Sequence, residues 1–256
     1  MQISHLIFTR FNIQYEIGDT IGIQPEWLDE RLRLFEQYCV PSMQAQTCQD
    51  FTWILIGDIR TPDSYKARIE AYAAQLPQIR VYWTPYRDDG YHAFYKQIGR
   101  EWAKGKDLLI STRLDNDDAF AKNYVASVQQ SAKEGVEGII SFPLGRQTFI
   151  KDHKSYRIRY ALNHSTSRIE RSDFETVMVS DHTQVAAGTL HIVETGQPMW
   201  EEIVHGGNML NDYVPKYHYY IRNGADAIDL SKRWIRFQAG RLMRRMKVLF
   251  VRSDKA

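Results

Sequence analysis

The sequence predicts an α/β protein, with a mainly parallel sheet and helices on both faces. Short apolar, β-prone runs alternate with helically spaced segments four times before residue 111, which is the pattern of a parallel sheet with crossover helices. The chain has 256 residues, 43% of them hydrophobic, enough to bury one large core. The last apolar run of the series passes directly into carboxylates, and ligands in such sheets sit outside the carboxyl ends of the strands.

Residues 3–9 are apolar and β-prone and read as a first strand ending at 10–12. Leu28, Leu32, Phe35 and Cys39 give helical spacing over 27–38, with Pro41 interrupting it. Residues 51–56 read as a second strand closed by Gly57 and Asp58, followed by a helix over 63–75 and a strand over 79–83. Ala93, Ile98 and Trp102 place a helix over 92–104 ahead of the strand at 108–110, and a further helix is expected over 122–132. After a strand at 139–142 the crossover helices stop. Residues 147–151, 156–161 and 175–179 then read as short strands joined by polar turns. Glu201 and Glu202 are read as sharing one face of a helix or turn.

The chemistry concentrates at residues 107–120, D-L-L-I-S-T-R-L-D-N-D-D-A-F. Asp115, Asp117 and Asp118 place three negative charges in four positions, and that repulsion is relieved by a cation or by protonation. Mg²⁺ or Mn²⁺ takes one or two carboxylates and fills its other sites with water and phosphate oxygens, which suggests a metal-diphosphate site. The bland reading is a turn in which Asp118 caps the next helix. An EF-hand loop fails, since it needs a ligand and then glycine where Ala119 and Phe120 stand. Arg113 either pairs with these carboxylates or reaches a phosphate. His205, ahead of Gly206 and Gly207, is either a metal ligand or a structural histidine beside a turn. Glu201 and Glu202 are either a base for an acceptor hydroxyl or solvated charges, with Asp181 a weaker competitor for the base.

The strand followed by R-L-D-N-D-D resembles the D-x-D region of GT-A glycosyltransferases. The chain as a whole is similar to the bacterial putative rhamnosyltransferase family within that group, which is glycosyltransferase family 2-like. The resemblance spans most of residues 3–212. It is carried by F-T-R-F-N at 8–12, T-R-L-D-N-D-D at 112–118 and P-M-W-E-E-I-V-H-G-G-N at 198–208. It does not extend to the aspartate-nucleophile phosphatases, which want Thr or Val at Ala119 and a motif near the N-terminus.

The resemblance implies a GT-A, Rossmann-like nucleotide-diphospho-sugar transferase fold over 1–228, its half at 1–120 holding the nucleotide sugar and its half at 121–228 shaping the acceptor site. It implies that Arg10 and Asn12 contact the diphosphate or base, Asp58 the base or ribose, and Arg113 and Asp115 the donor. Asp58 is equally readable as a turn residue after Gly57. The metal, Mn²⁺ or Mg²⁺, would be held by Asp115, Asp117, Asp118 and His205. The donor would be a UDP-, dTDP- or GDP-sugar, and the acceptor a hydroxyl of a glycan or lipid-linked acceptor in bacterial surface polysaccharide synthesis. The alternatives are a metal-dependent phosphoester hydrolase and a non-catalytic glycan-binding protein on a transferase fold.

Charge is uneven. From Ser231 onward nine Lys/Arg face one acid, Asp254, a net of +8, which leaves −6 for residues 1–230. An acidic body argues against a broad nucleic-acid surface. Residues 229–256 read as a basic amphipathic tail, helical over 229–252, with Ile235, Leu242, Met246 and Leu249 as its stripe. It either lies on an anionic membrane or packs on the domain with a solvated basic face. No membrane span or signal peptide is read, so a cytoplasmic protein is expected, peripheral on the plasma membrane if the tail binds lipid. Cys39 and Cys48 read as reduced thiols.

Overall fold

A computed structural model of the chain describes residues 1–179 and 189–207 and the backbone of His218–Tyr220. Asp181, Asn208, the boundary at 228 and the tail helix lie outside the described residues.

The strand–helix alternation is present over the first half. β1 (Ile3–Arg10) lies between β2 (Thr52–Asp58) and β4 (Leu108–Arg113), with β3 (Ile79–Thr84) outside β2, all parallel. Beyond β4 come β9 (Ser167–Glu170), β6 (Gly138–Ser141) and β10 (Leu190–Ile192), in the order β10-β6-β9-β4-β1-β2-β3. β9 runs against both of its neighbours, while β6 and β10 are parallel to each other. A second sheet has the order β12-β8-β7-β11-β5, made of β5 (Ala119–Phe120), β7 (Leu144–Phe149), β8 (Lys154–Arg159), β11 (Trp200–Val204) and β12 (His218–Tyr220).

Helices cover both faces of the large sheet, and the period-2 alternation of its strands sets which residues meet them. Ile7, Trp53 and Leu55 face one way, into a core with Leu28 and Leu32 of α1 (Pro25–Leu34), Met43 of α2 (Val40–Gln44), Ile69 of α3 (Asp63–Gln75) and Val125 and Val128 of α5 (Tyr124–Lys133). Leu6, Phe8, Ile54 and Ile56 face the other way, against Tyr95 and Ile98 of α4 (His92–Trp102). This is the GT-A architecture that the resemblance implies.

Four local expectations are corrected. Pro41 does not end the first helix; the chain widens into a π-turn over Phe35–Cys39 and continues as α2. A proline ring clashes with the carbonyl four residues earlier in a regular helix, and a π-turn relieves such a clash. Residues 175–179 form no strand. The backbone at Thr176 has φ of 66°, outside any strand region, and the Glu170 carboxylate holds it by accepting from Glu175 N at 3.0 Å and Thr176 N at 2.9 Å. A 3-10 turn, Val177–Val179, follows. Asp118 caps no helix, because α5 begins after Asn123. Residues 200–204 are a strand, β11, pairing with β7 and β5.

Candidate functional site

The site forms where the chain changes sheets. β4 of the large sheet leads through residues 114–118 to β5 of the small one. β6 leads through residues 142–143 to β7, and β8 returns through residues 160–166 to β9. The acidic loop and the 160–166 loop meet at this seam.

Asp118 is buried. Its Oδ1 accepts from Ile203 N of β11 at 3.0 Å, and its Oδ2 lies 2.8 Å from His164 Nε2. Those last two atoms are close enough for an ion pair, yet Nε2 makes no hydrogen bond to any described residue. Among the described residues, Asp115, Asp118 and His164 each offer a ligand atom, and the three lie within 4.8 Å of one another. Burial raises the Asp118 carboxyl, and Asp117 and Asp115 add to the rise while His164 opposes it. Burial alone would lower His164, but contact with Asp118 and the charges of Glu202 and Asp115 raise it instead.

Asp117 is turned elsewhere. Its Oδ2 accepts from Arg31 Nη1 at 2.6 Å and from His205 Nε2 at 3.0 Å. Burial would raise this carboxyl, but His205 and Arg31 outweigh it and hold it below the usual range. Gly207 N donates to His205 Nδ1 at 3.4 Å, so both ring nitrogens of His205 are engaged with the chain. The histidine facing Asp115 and Asp118 is therefore His164. Sequence reasoning missed it, as it missed Arg31, whose guanidinium also stacks 5.0 Å over Trp27.

The remaining candidates divide. Arg10 Nη2 lies 3.9 Å from Asp115 Oδ1, at the edge of the cluster. Asn12 is buried and committed to the fold: Nδ2 donates to Gly22 O and Thr61 Oγ1, both at 2.8 Å, and Oδ1 accepts from Asp58 N at 3.2 Å. Asp58 is buried too; it accepts from Arg60 N at 2.8 Å and from the Arg60 side chain on both oxygens, the turn role of its two readings. Arg113 donates from Nη2 to Val177 O at 3.3 Å.

Glu201 and Glu202 do not share a face, since neighbours on a strand point to opposite sides. Glu201 accepts from Thr148 Oγ1 at 2.6 Å and lies 3.7 Å from Arg146. Glu202 is buried on the side of Trp200 and accepts from Gln147 Nε2 at 2.6 Å. Trp200 is fixed by its Nε1, which donates to Phe142 O at 2.9 Å, and His164 packs edge-on against the indole with centroids 5.4 Å apart. The indole leaves room for glycine alone at residue 145, where a Cβ would come within 2.2 Å of it.

A largely parallel sheet whose central strand ends in a carboxylate loop, with helices on both faces, defines a GT-A-type domain. The chain belongs to the family described as Putative rhamnosyl transferase, whose model matches residues 14–216. No curated protein matches the sequence. Among solved structures, the chain is similar to S. aureus TarS 1-349 in complex with UDP-GlcNAc, at 9% identity and a TM-score of 0.49, covering 81% of this chain and 60% of that one. It is also similar to the mannosyltransferase PcManGT from Pyrobaculum calidifontis in complex with GDP-Man and Mn²⁺, at 12% identity and a TM-score of 0.35, covering 54% and 34%. The chain thus spans about 60% of the length of that TarS structure.

Proposed function

We propose that this chain is a glycosyltransferase that moves a sugar from a nucleoside-diphosphate donor to a hydroxyl acceptor, with a divalent cation at Asp115, Asp118 and His164. The observation that carries this reading is the convergence of those three side chains at the end of β4, in a chain of this family. The residues fit a cation. A buried imidazole nitrogen 2.8 Å from a carboxylate oxygen, with no hydrogen bond to a described residue, is what remains when two ligands aim at a common point. Two carboxylates and an imidazole suit Mn²⁺ better than Mg²⁺, which prefers an all-oxygen shell.

When bound, the cation supplies positive charge to the departing diphosphate. Arg10, beside Asp115, would contact the donor phosphates. Glu202 is the better base of the β11 pair. It lies on the Trp200 side of the strand, Gln147 holds one of its oxygens, and its charge is felt at His164; it would take the proton of the attacking hydroxyl. The acceptor in this reading is a growing surface glycan or lipid-linked sugar at the cytoplasmic face of the membrane, a reading supported by the +8 segment from Ser231 onward.

The test is a thermal-shift screen of nucleoside diphosphates and nucleotide sugars with and without Mn²⁺, followed by product analysis with acceptor present. A Mn²⁺-dependent shift with acceptor-dependent release of diphosphate is expected, since ligand bound to the native state raises the melting temperature. Donor cleavage that ignores the acceptor would instead identify a phosphoester hydrolase. Binding without turnover would identify a glycan-binding protein.

A further inference from the structure

His164 lies on a connecting loop rather than on a strand or helix, whereas a metal ligand has to be held to within about half an ångström. The side chain before it supplies that restraint. Asn163 is fully buried, and its Nδ2 donates to Ser141 Oγ at 2.9 Å, to Phe142 O at 3.0 Å and to Tyr160 O at 3.0 Å. Its Oδ1 accepts from Ser165 N at 3.0 Å, closing an Asx-turn around His164. Ser141 and Phe142 belong to the β6–β7 crossing, so one amide ties the loop bearing His164 to a second place where the chain changes sheets. Beyond His164, Tyr124 Oη donates to Ser165 O at 2.6 Å and Arg113 N to Thr166 O at 3.1 Å.

We propose that Asn163 is the positioning residue of the cation site: it sets the His164 imidazole opposite Asp118 by fastening the 160–166 loop to Ser141 and Phe142. The proposal rests on the reading of Asp115, Asp118 and His164 as a cation site. A buried amide of this kind replaces, for a ligand on a loop, the rigidity that a strand gives to a ligand within it. Groups that hold metal ligands in place are worth on the order of 10–100-fold in metal affinity.

The experiment compares Mn²⁺ binding to the full chain by titration calorimetry for wild type, Asn163→Ala, Ser141→Ala and His164→Ala. Each variant is also followed by thermal melting and by the ¹⁵N resonances of the His164 ring. Asn163→Ala is expected to weaken Mn²⁺ binding by about 10–100-fold. Ser141→Ala, which removes one of the three acceptors, should weaken it by about threefold. Both should move the His164 ring resonances. Wild-type Mn²⁺ affinity with unmoved resonances in either folded variant overturns the proposal, even if the melting temperature falls, because a purely structural role predicts that result. If Asn163→Ala does not fold, Ser141→Ala decides by the same readouts. Unchanged affinity in His164→Ala overturns the cation site itself; weakened affinity in His164→Ala alone overturns only the role of Asn163.

Discussion

His5 is buried within β1, and His164 is largely but not fully covered on the loop before β9. Every hydrogen-bond partner of His5 is neutral: Nε2 lies 2.9 Å from Thr112 Oγ1 and Nδ1 lies 3.5 Å from Gln129 Nε2. Burial then acts alone and pulls the ring pKa down to about 3, so His5 is a neutral member of the core. His164 is held against Asp118, with Glu202 and Asp115 near enough for their charges to raise its pKa. Enclosure therefore does not tell what a histidine does. The charge of its neighbours, and whether its nitrogens are satisfied, separates a packed ring from one available to a ligand.

The strongest way to break this contrast is to remove charge from the cluster while keeping its shape. Asp118→Asn keeps an acceptor for Ile203 N but removes the carboxylate from the proposed cation site. Charge stabilisation by a cation is worth several kcal/mol, so Mn²⁺-dependent transfer should fall on the order of 10³-fold. Steady-state kinetics at saturating donor check this. Retained Mn²⁺-dependent turnover would remove Asp118 from the site.

On the His5 side the expected effect is on stability. Its folded pKa of about 3 lies below the ordinary histidine value of 6.5, so between these values the unfolded chain binds the extra proton. Stability then rises with pH across that window and is lost as pH falls through it. From pH 7 to pH 4 this histidine should account for about 3 kcal/mol of lost stability. His5→Gln should show a flatter pH dependence by that amount, read from urea melts at the two pH values. Equal slopes in the two proteins would mean that the ring is charged when folded. A smaller effect is expected at Gly145, beneath the surface on which His164 rests. Gly145→Ala puts a Cβ within 2.2 Å of the Trp200 indole and should cost about 1–3 kcal/mol, the usual penalty for overpacking, measurable as a lower urea midpoint.

The same contrast explains what could be read from the chain. The first four strands and α3 are local patterns: apolar runs such as 3–9 and 108–110 carry their own period, and the observed strands extend them by a few residues. Asp115 and Asp118 were visible because they follow such a run. His164 was not, because its neighbours Asn163 and Ser165 are polar loop residues and only the return from β8 to β9 carries it to Asp118. β11 was misread for a related reason. Glu201 and Glu202 interrupt its apolar pattern, and what makes it a strand is pairing with the distant β7 and β5. His205, by contrast, was singled out by a local motif, and the structure gives it to Asp117.

That third histidine allows the finest test. The pocket of His205 is intermediate between the other two: it donates to a carboxylate, as a charged cluster would have it, but both of its nitrogens are engaged with the chain. If an unsatisfied nitrogen aimed at carboxylates is what marks a cation ligand, His205→Gln should lose about 1 kcal/mol of stability with the hydrogen bond to Asp117. Mn²⁺ affinity should then stay within about threefold of wild type, less than half of a 1.4 kcal/mol, tenfold step. His164→Ala, by comparison, should lose most of the binding. Calorimetric titration of both variants under one set of conditions makes the comparison direct. A loss in His205→Gln as large as in His164→Ala would mean that Asp117 and His205 turn toward the cation when it binds, and the site would then extend to both histidines.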